Sequence, residues 1–245
     1  MANDRSQKTP APTGHGEPAK TSRPADIEAF LARARTLAPP VEPGTRGRLV
    51  FALDATMSRQ PTWDEACRLQ ADMFAETASI GGLDVQLIYY RGMSECRASR
   101  FASDARMLGS LMEKIDCRGG RTQIRRVLGH AKREAQAQKV QALVFVGDAM
   151  EESIDDLCAA AGELGLLGVP AFMFQEGDDP IAEQAFREIA RLSRGAYCRF
   201  DPGAAHQLGE LLRAAAAYAA GGIKALRDLS ARSSVGAQRL LAQMK

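Results

Sequence analysis

The chain has 245 residues, 45 % of them hydrophobic and 25 % charged, with a formal net charge of +2. These values fit one large globular domain with appendages and argue against a dedicated nucleic-acid binder, which needs a strongly basic face. No apolar run reaches the roughly 18 residues of a transmembrane helix, and the N-terminus lacks the apolar stretch of a secretory signal, so a cytoplasmic protein is expected.

Residues 1–25 carry Pro10, Pro12, Pro18 and Pro24 among small, polar and charged residues. Such a segment cannot offset its ordering entropy, and a disordered leader is expected. In residues 26–47, Ile27, Phe30, Leu31 and Ala34 recur at helical spacing before Pro39-Pro40 and Pro43-Gly44, which predicts a short docking helix and a linker.

The main domain is expected over residues 48–219. The apolar run Val50 to Leu53 reads as a buried strand ending at Asp54. Trp63, Ala66, Cys67, Leu69, Gln70, Met73 and Phe74 predict an amphipathic helix from Pro61, stopped by Gly81-Gly82. Leu83 to Tyr90 is a second strand, and Cys96 to Phe101 a short edge strand. A helix capped at Ser103 or Asp104 then runs through Ile115, and a loop from Asp116 to Thr122 follows. The next helix, near Gln123 to Gln138, is basic. Ala142 to Gly147 is a strong buried strand that again ends in a carboxylate, Asp148.

The alternation continues with a helix from Ser153 to Leu167, a strand from Val169 to Phe174, a helix from Ile181 to Ser193 and a strand from Ala196 to Phe200. An Ala-rich helix begins at His206. After Gly221-Gly222, residues 220–245 carry Ile223, Leu226, Leu229, Leu240, Leu241 and Met244, marking a terminal amphipathic helix that packs on the domain or serves a partner. Strands alternating with helices at this spacing predict a three-layer α/β fold: a Rossmann-like, mainly parallel sheet with helices on both faces. The cysteines (Cys67, Cys96, Cys117, Cys158 and Cys198) are odd in number and form no CxxC, as expected of reduced thiols.

Asp54, Thr56 and Ser58 leave the first strand, Asp148 leaves a later one, and Thr122 lies in a Gly-Gly-Arg-Thr loop before a helix. In a doubly wound sheet, strand exits and the loops before the following helices share one edge, so these five side chains can meet. Two carboxylates and three hydroxyls are hard oxygen donors, suited to Mg²⁺, Mn²⁺ or Ca²⁺. The same hydroxyls have a plainer use, with Thr56 or Ser58 capping the helix that begins near Pro61.

Asp54-Ala55-Thr56-Met57-Ser58, with Thr122 and Asp148, resembles the metal-ion-dependent adhesion site (MIDAS) of von Willebrand factor type A (VWA) domains. The family pattern is DxSxS, a loop Thr and a strand-end Asp. The resemblance spans about Arg48 to Tyr218, with Thr56 replacing the first serine and Arg121 standing between Gly120 and Thr122. It implies a binding domain rather than an enzyme, in which a divalent cation recruits an Asp or Glu of a protein partner. It is also compatible with membership of a larger multi-subunit assembly. Glu151 and Glu152 are expected to stabilise the N-terminus of the next helix rather than to add negative charge to the site.

Two other readings stay open. Asp54 with Thr56 two residues on is similar to the haloacid-dehalogenase-like phosphatases, although Thr56 stands where those carry a second Asp. Arg118, Arg121, Arg125, Arg126, Lys132 and Arg133, with His130 among them, form a basic run. Arg121, Arg125 and Arg126 are its candidate contacts to an anionic partner or nucleic acid, and a solvated helix face is the plain alternative. Neither a GxGxxG after the first strand nor a GxSxG elbow occurs.

Overall fold

The computed structural model describes residues 46–244. The expected leader and docking helix lie outside the described residues, apart from residues 46 and 47. No helix among the described residues is long and apolar enough to cross a membrane.

Six strands form one sheet: β1 (Gly47–Asp54), β2 (Leu83–Arg91), β3 (Glu95–Ala102), β4 (Ala142–Gly147), β5 (Ala171–Glu176) and β6 (Ala196–Phe200), in spatial order β3-β2-β1-β4-β5-β6. All neighbours are parallel except β2 and β3, which join through a tight turn and run antiparallel. This is the expected three-layer α/β architecture. Strand β1 lies at its centre because both of its faces are apolar. Leu49, Phe51 and Leu53 enter one core, Val50 and Ala52 the other, and all five are buried.

The first face is covered by α1 (Gln60–Thr77), α2 (Ala105–Met112), α6 (Ala205–Ala231) and α7 (Val235–Leu241). The second is covered by α3 (Ile124–Ala137), α4 (Ile154–Leu166) and α5 (Pro180–Ser193). Caps explain several boundaries. Asp104 Oδ1 accepts from Met107 N at 2.8 Å, and Asp179 Oδ1 accepts from Ala182 N at 2.6 Å just before Pro180. Ala214, Ala215, Ala216, Ala217, Ala219 and Ala220 of α6 are all buried, and side chains this short let the helix approach the sheet closely.

The terminal segment departs from the expected single helix. Helix α6 runs through Gly221-Gly222 with a kink at Gly222, whose φ of 67° suits glycine. The chain then turns at Ser233, and Ser234 caps α7 by accepting from Ala237 N at 3.3 Å. Helix α7 packs on α6 and borders β6, so this segment covers the domain. At the open edge of β6, Gln243 Oε1 accepts from Tyr197 N at 2.9 Å, and Gln243 Nε2 donates to Tyr197 O at 2.7 Å. A side-chain amide thus substitutes for a further strand.

Candidate functional site

Register brings the carboxylates together. Leu53 pairs with Val146 across β1 and β4, and Gly147 pairs with Gln175 across β4 and β5. Asp54, Asp148 and Glu176 therefore emerge side by side at the carboxyl edge of the sheet, where open α/β folds hold ligands. Asp54 is only 3 % exposed. Its Oδ1 accepts from Thr56 N at 2.8 Å, which turns the chain sharply after the strand. Burial raises the Asp54 pKa above the ordinary carboxylate value. The hydrogen bonds from Thr56 oppose that shift, and the charge of Asp148 adds to it.

Ser58 Oγ donates to Asp148 Oδ2 at 3.3 Å, joining the two strand exits across ninety residues of sequence. The competing use of the hydroxyls is not found. The 3-10 turn Met57–Arg59 has Thr56 as N-cap, α1 has Arg59, and neither cap makes a side-chain bond to the helix. Thr122 is buried in the loop before α3. Its Oγ1 accepts from Glu151 N at 3.0 Å, and its own N–H donates to Glu151 Oε2 at 3.1 Å. Asp54 with Thr56 and Ser58 with Asp148 thus form two hydrogen-bonded pairs at the same sheet edge, the Asp148 charge is felt at Asp54, and Thr122 is held by Glu151, three residues after Asp148.

The loop carrying Thr122 is held by close backbone approach. A Cβ on Gly120 would lie 2.3 Å from both the N and the O of Gly92, so only glycine fits there. Arg121 N donates to Gly92 O at 3.1 Å, and Arg118 N donates to Ala55 O at 2.9 Å. The loop is thereby pinned against both the β2–β3 turn and the exit of β1.

The two glutamates after Asp148 do not serve the helix that follows them. Ser153 caps α4, accepting from Asp156 N. Glu152 instead reaches across to α3, where Oε2 accepts from Ile124 N and Oε1 accepts from Arg125 N at 3.0 Å. The expectation that they stabilise the next helix is corrected accordingly. The unpaired N–H groups of α3 point toward the β4–α4 loop, and a carboxylate there satisfies two of them.

The basic run also divides. Lys132 pairs with Glu163 of α4 at 2.8 Å, whereas Arg125, Arg126 and Arg133 line a groove against β3 that none of the strand-end carboxylates lines. Arg121 is exposed on the Thr122 loop.

Three further residues belong to the site. Arg59 is buried and forms an ion pair with Glu176, and its Nη1 lies 3.6 Å from Asp148 Oδ2. Thr62 donates its hydroxyl to the same Glu176 carboxylate. Tyr90, opposite Asp54 in the register, is fully buried, and its hydroxyl closes no hydrogen bond among the described residues. Burial first, and then the nearby Asp54 charge, raise the Tyr90 pKa well above that of an ordinary phenol. Glu176 carries the same signal as Asp54 and Asp148, an acid at a strand exit, and is legible on that basis. Arg59 precedes Gln60-Pro61 and has no sequence signal that separates it from a surface arginine.

Among the described residues no group of three or more His, Cys, Asp or Glu side chains is arranged to hold a metal. The oxygen set here draws on hydroxyls instead, and it fits a hard divalent cation. The buried Tyr90 hydroxyl stands beside the Asp54 carboxylate without closing a full hydrogen bond, which adds one more oxygen to this polar edge. The Arg59 guanidinium is an internal cation beside Asp148 that offsets part of the negative charge of this edge.

No protein-family profile matches the sequence, and no curated protein matches it either. Solved structures do. A von Willebrand factor type A protein from Catenulispora acidiphila aligns with a TM-score of 0.57 at 18 % identity, over 72 % of this chain and 43 % of that one. Proximal thread matrix protein 1 from the mussel byssus, solved with a zinc-occupied MIDAS motif, aligns with a TM-score of 0.61 at 14 % identity, over 78 % of this chain and 52 % of that one. The SpRpn10 VWA domain aligns with a TM-score of 0.52 at 13 % identity, over 67 % of this chain and 95 % of that domain. The chain thus spans about half or less of the first two proteins and nearly all of the isolated domain. The strand order, the covering helices and these likenesses together identify the fold as that of a von Willebrand factor type A domain.

Proposed function

We propose that this is a protein-interaction domain that binds a divalent cation through Asp54, Thr56, Ser58, Thr122 and Asp148 and recruits an acidic side chain of a protein partner. The observation that carries the reading is the Ser58 to Asp148 hydrogen bond, which joins a hydroxyl of one strand exit to a carboxylate of another beside the buried Asp54. The zinc-occupied MIDAS of the mussel protein supports a divalent metal on this fold. The human COPII-coat protein Sec24c, aligned with a TM-score of 0.53 at 10 % identity, supports a protein partner within a larger assembly.

Each residue has a separable task. Asp54 and Asp148 supply negative charge, while Ser58, Thr56 and Thr122 supply neutral oxygens that leave the charge incompletely balanced. A bound cation supplies an electrophilic position that a partner carboxylate completes. The Thr56 N–H orients Asp54, and Glu151 holds Thr122 in place through two hydrogen bonds. Thr56 at the position where such phosphatases carry their acid/base Asp supports a ligand-holding role for Asp54 over that of a phosphatase nucleophile.

The test is calorimetric titration of Mg²⁺ and Mn²⁺ into the wild type, Ser58→Ala and Asp148→Asn. Ser58 is exposed, so its truncation leaves the fold intact. Saturable binding at one site, weakened about tenfold or more by each substitution, is the expected outcome. A folded wild type that takes up neither ion overturns the reading.

A further inference from the structure

A second charged site lies along α3, and none of the strand-end carboxylates lines it. A groove of about 430 Å³ runs between α3 and the edge strand β3. Arg97, Arg125, Arg126, Arg133 and His130 line it, and no carboxylate does. In a chain whose net charge is only +2, this is a marked concentration of positive charge.

The four guanidinium groups differ in how far their charge is balanced. Arg97 pairs with Glu95 at 3.0 Å, and Arg125 reaches Asp156 at 3.6 Å. Arg126 is held only by neutral oxygens, donating to Ser94 O and, at 2.7 Å, to Gln123 Oε1. Its orientation is fixed while its charge is not compensated. Arg133 is exposed and makes no hydrogen bond or ion pair among the described residues. These two residues are seven apart, about 10 Å along one face of the helix. Gly129 lies between them, and a Cβ there would meet only Arg133 Nη1, at 3.8 Å. The groove therefore has an open floor between two uncompensated forks.

We propose that this groove binds a small molecule carrying two or more phosphate groups, held by Arg126 and Arg133 and assisted by Arg97 and Arg125. Every cationic side chain in the lining other than His130 is arginine and none is lysine. The planar guanidinium fork matches phosphate oxygens in pairs, whereas an ammonium acts as a point charge. A volume of this size accommodates a small ligand rather than a strand of nucleic acid. The lining also lacks the aromatic platforms on which single-stranded bases stack. The proposal does not depend on the metal reading, because no residue is shared with it.

The experiment titrates inorganic orthophosphate, pyrophosphate and tripolyphosphate, and separately a short single-stranded oligonucleotide, into the full chain with a chelator present. The chelator removes phosphate binding through a metal at the other site. Saturable binding of tripolyphosphate at one site, tighter than orthophosphate, is expected. Arg133→Gln should weaken it about tenfold, as loss of a charge-assisted bidentate contact does. Arg133 has no partner to lose, so this variant tests binding and not folding; Arg126→Gln should weaken binding further, and Ser58→Ala should leave it unchanged. Absence of saturable binding, an unchanged affinity in Arg133→Gln, or sensitivity to Ser58→Ala overturns the proposal. Tighter binding of the oligonucleotide than of tripolyphosphate overturns it in favour of a nucleic-acid surface.

Discussion

Arg59 Nη1 stands 3.6 Å from Asp148 Oδ2 while the same nitrogen is ion-paired with Glu176, so one buried guanidinium is divided between two strand-end carboxylates. Its Nε and Nη2 have no hydrogen-bond partner among the described residues. Its ion pairs among the described residues are with these two acids, and its charge also reaches Asp54. An arginine in this position offsets part of the negative charge of the Asp54–Asp148 edge, and so bears on the cation binding proposed there.

Substituting either partner should therefore move metal affinity in opposite directions. In Glu176→Gln the guanidinium is left to Asp148, and Mg²⁺ binding should weaken by about tenfold, or 1.4 kcal/mol. In Arg59→Gln the competing charge is gone, and binding should tighten by a similar factor. Stability should fall in both, by up to about 3–5 kcal/mol where a buried ion is left unpaired. Calorimetry beside thermal melts separates the two effects, and equal affinities in the two variants would refute the competition.

Glu152→Ala should lower the melting temperature without changing metal affinity. The carboxylate satisfies two N–H groups at the start of α3, from Ile124 and Arg125. Loss of such a cap costs about 1 kcal/mol, which is roughly 2–4 °C for a domain of this size. A fall in Mg²⁺ binding with no change in melting would instead make Glu152 part of the metal site.

Gln243→Ala should promote self-association. The Gln243 amide occupies both outward-facing backbone groups of Tyr197, and Arg239 Nη2 donates to Arg199 O at 2.5 Å on the same edge. An uncovered edge strand is a template for pairing with another chain. Sedimentation velocity at increasing concentration should detect dimers in the variant. A strictly monomeric variant would show that α7 protects the edge without Gln243.

His130 gives a pH dependence of defined sign. Burial lowers its pKa below the ordinary imidazole value. Glu134 opposes that shift, and Arg133 reinforces it. The folded state therefore binds the proton less readily than the unfolded chain. The contribution to stability is complete above the unfolded value of about 6.5 and is lost as the pH falls through the lower folded value. Chemical denaturation from pH 7.5 down to pH 5 should show declining stability, with a shallower slope in His130→Gln. Identical slopes would assign the decline to other groups.

The sequence by itself determined the alternation of strands and helices, because hydrophobic period and turn residues are local properties. The two-sided apolar pattern of Val50 to Leu53 required a central, covered strand, and Asp54 and Asp148 were legible as acids at strand exits. The fold class follows from those features. What only the tertiary structure decided depends on register and on which loop faces which helix. In sequence Glu152 lies just before α4, yet it caps α3, because the N–H groups it satisfies lie in a segment about thirty residues earlier. The basic run reads as one surface, but α3 turns Lys132 toward Glu163 and Arg126 and Arg133 toward β3, while Arg125 reaches Asp156 of α4, since successive positions on a helix point in different directions. Arg59 acquires its place beside Asp148 and Glu176 only once three parallel strands align their carboxyl ends, a relation that no local pattern encodes.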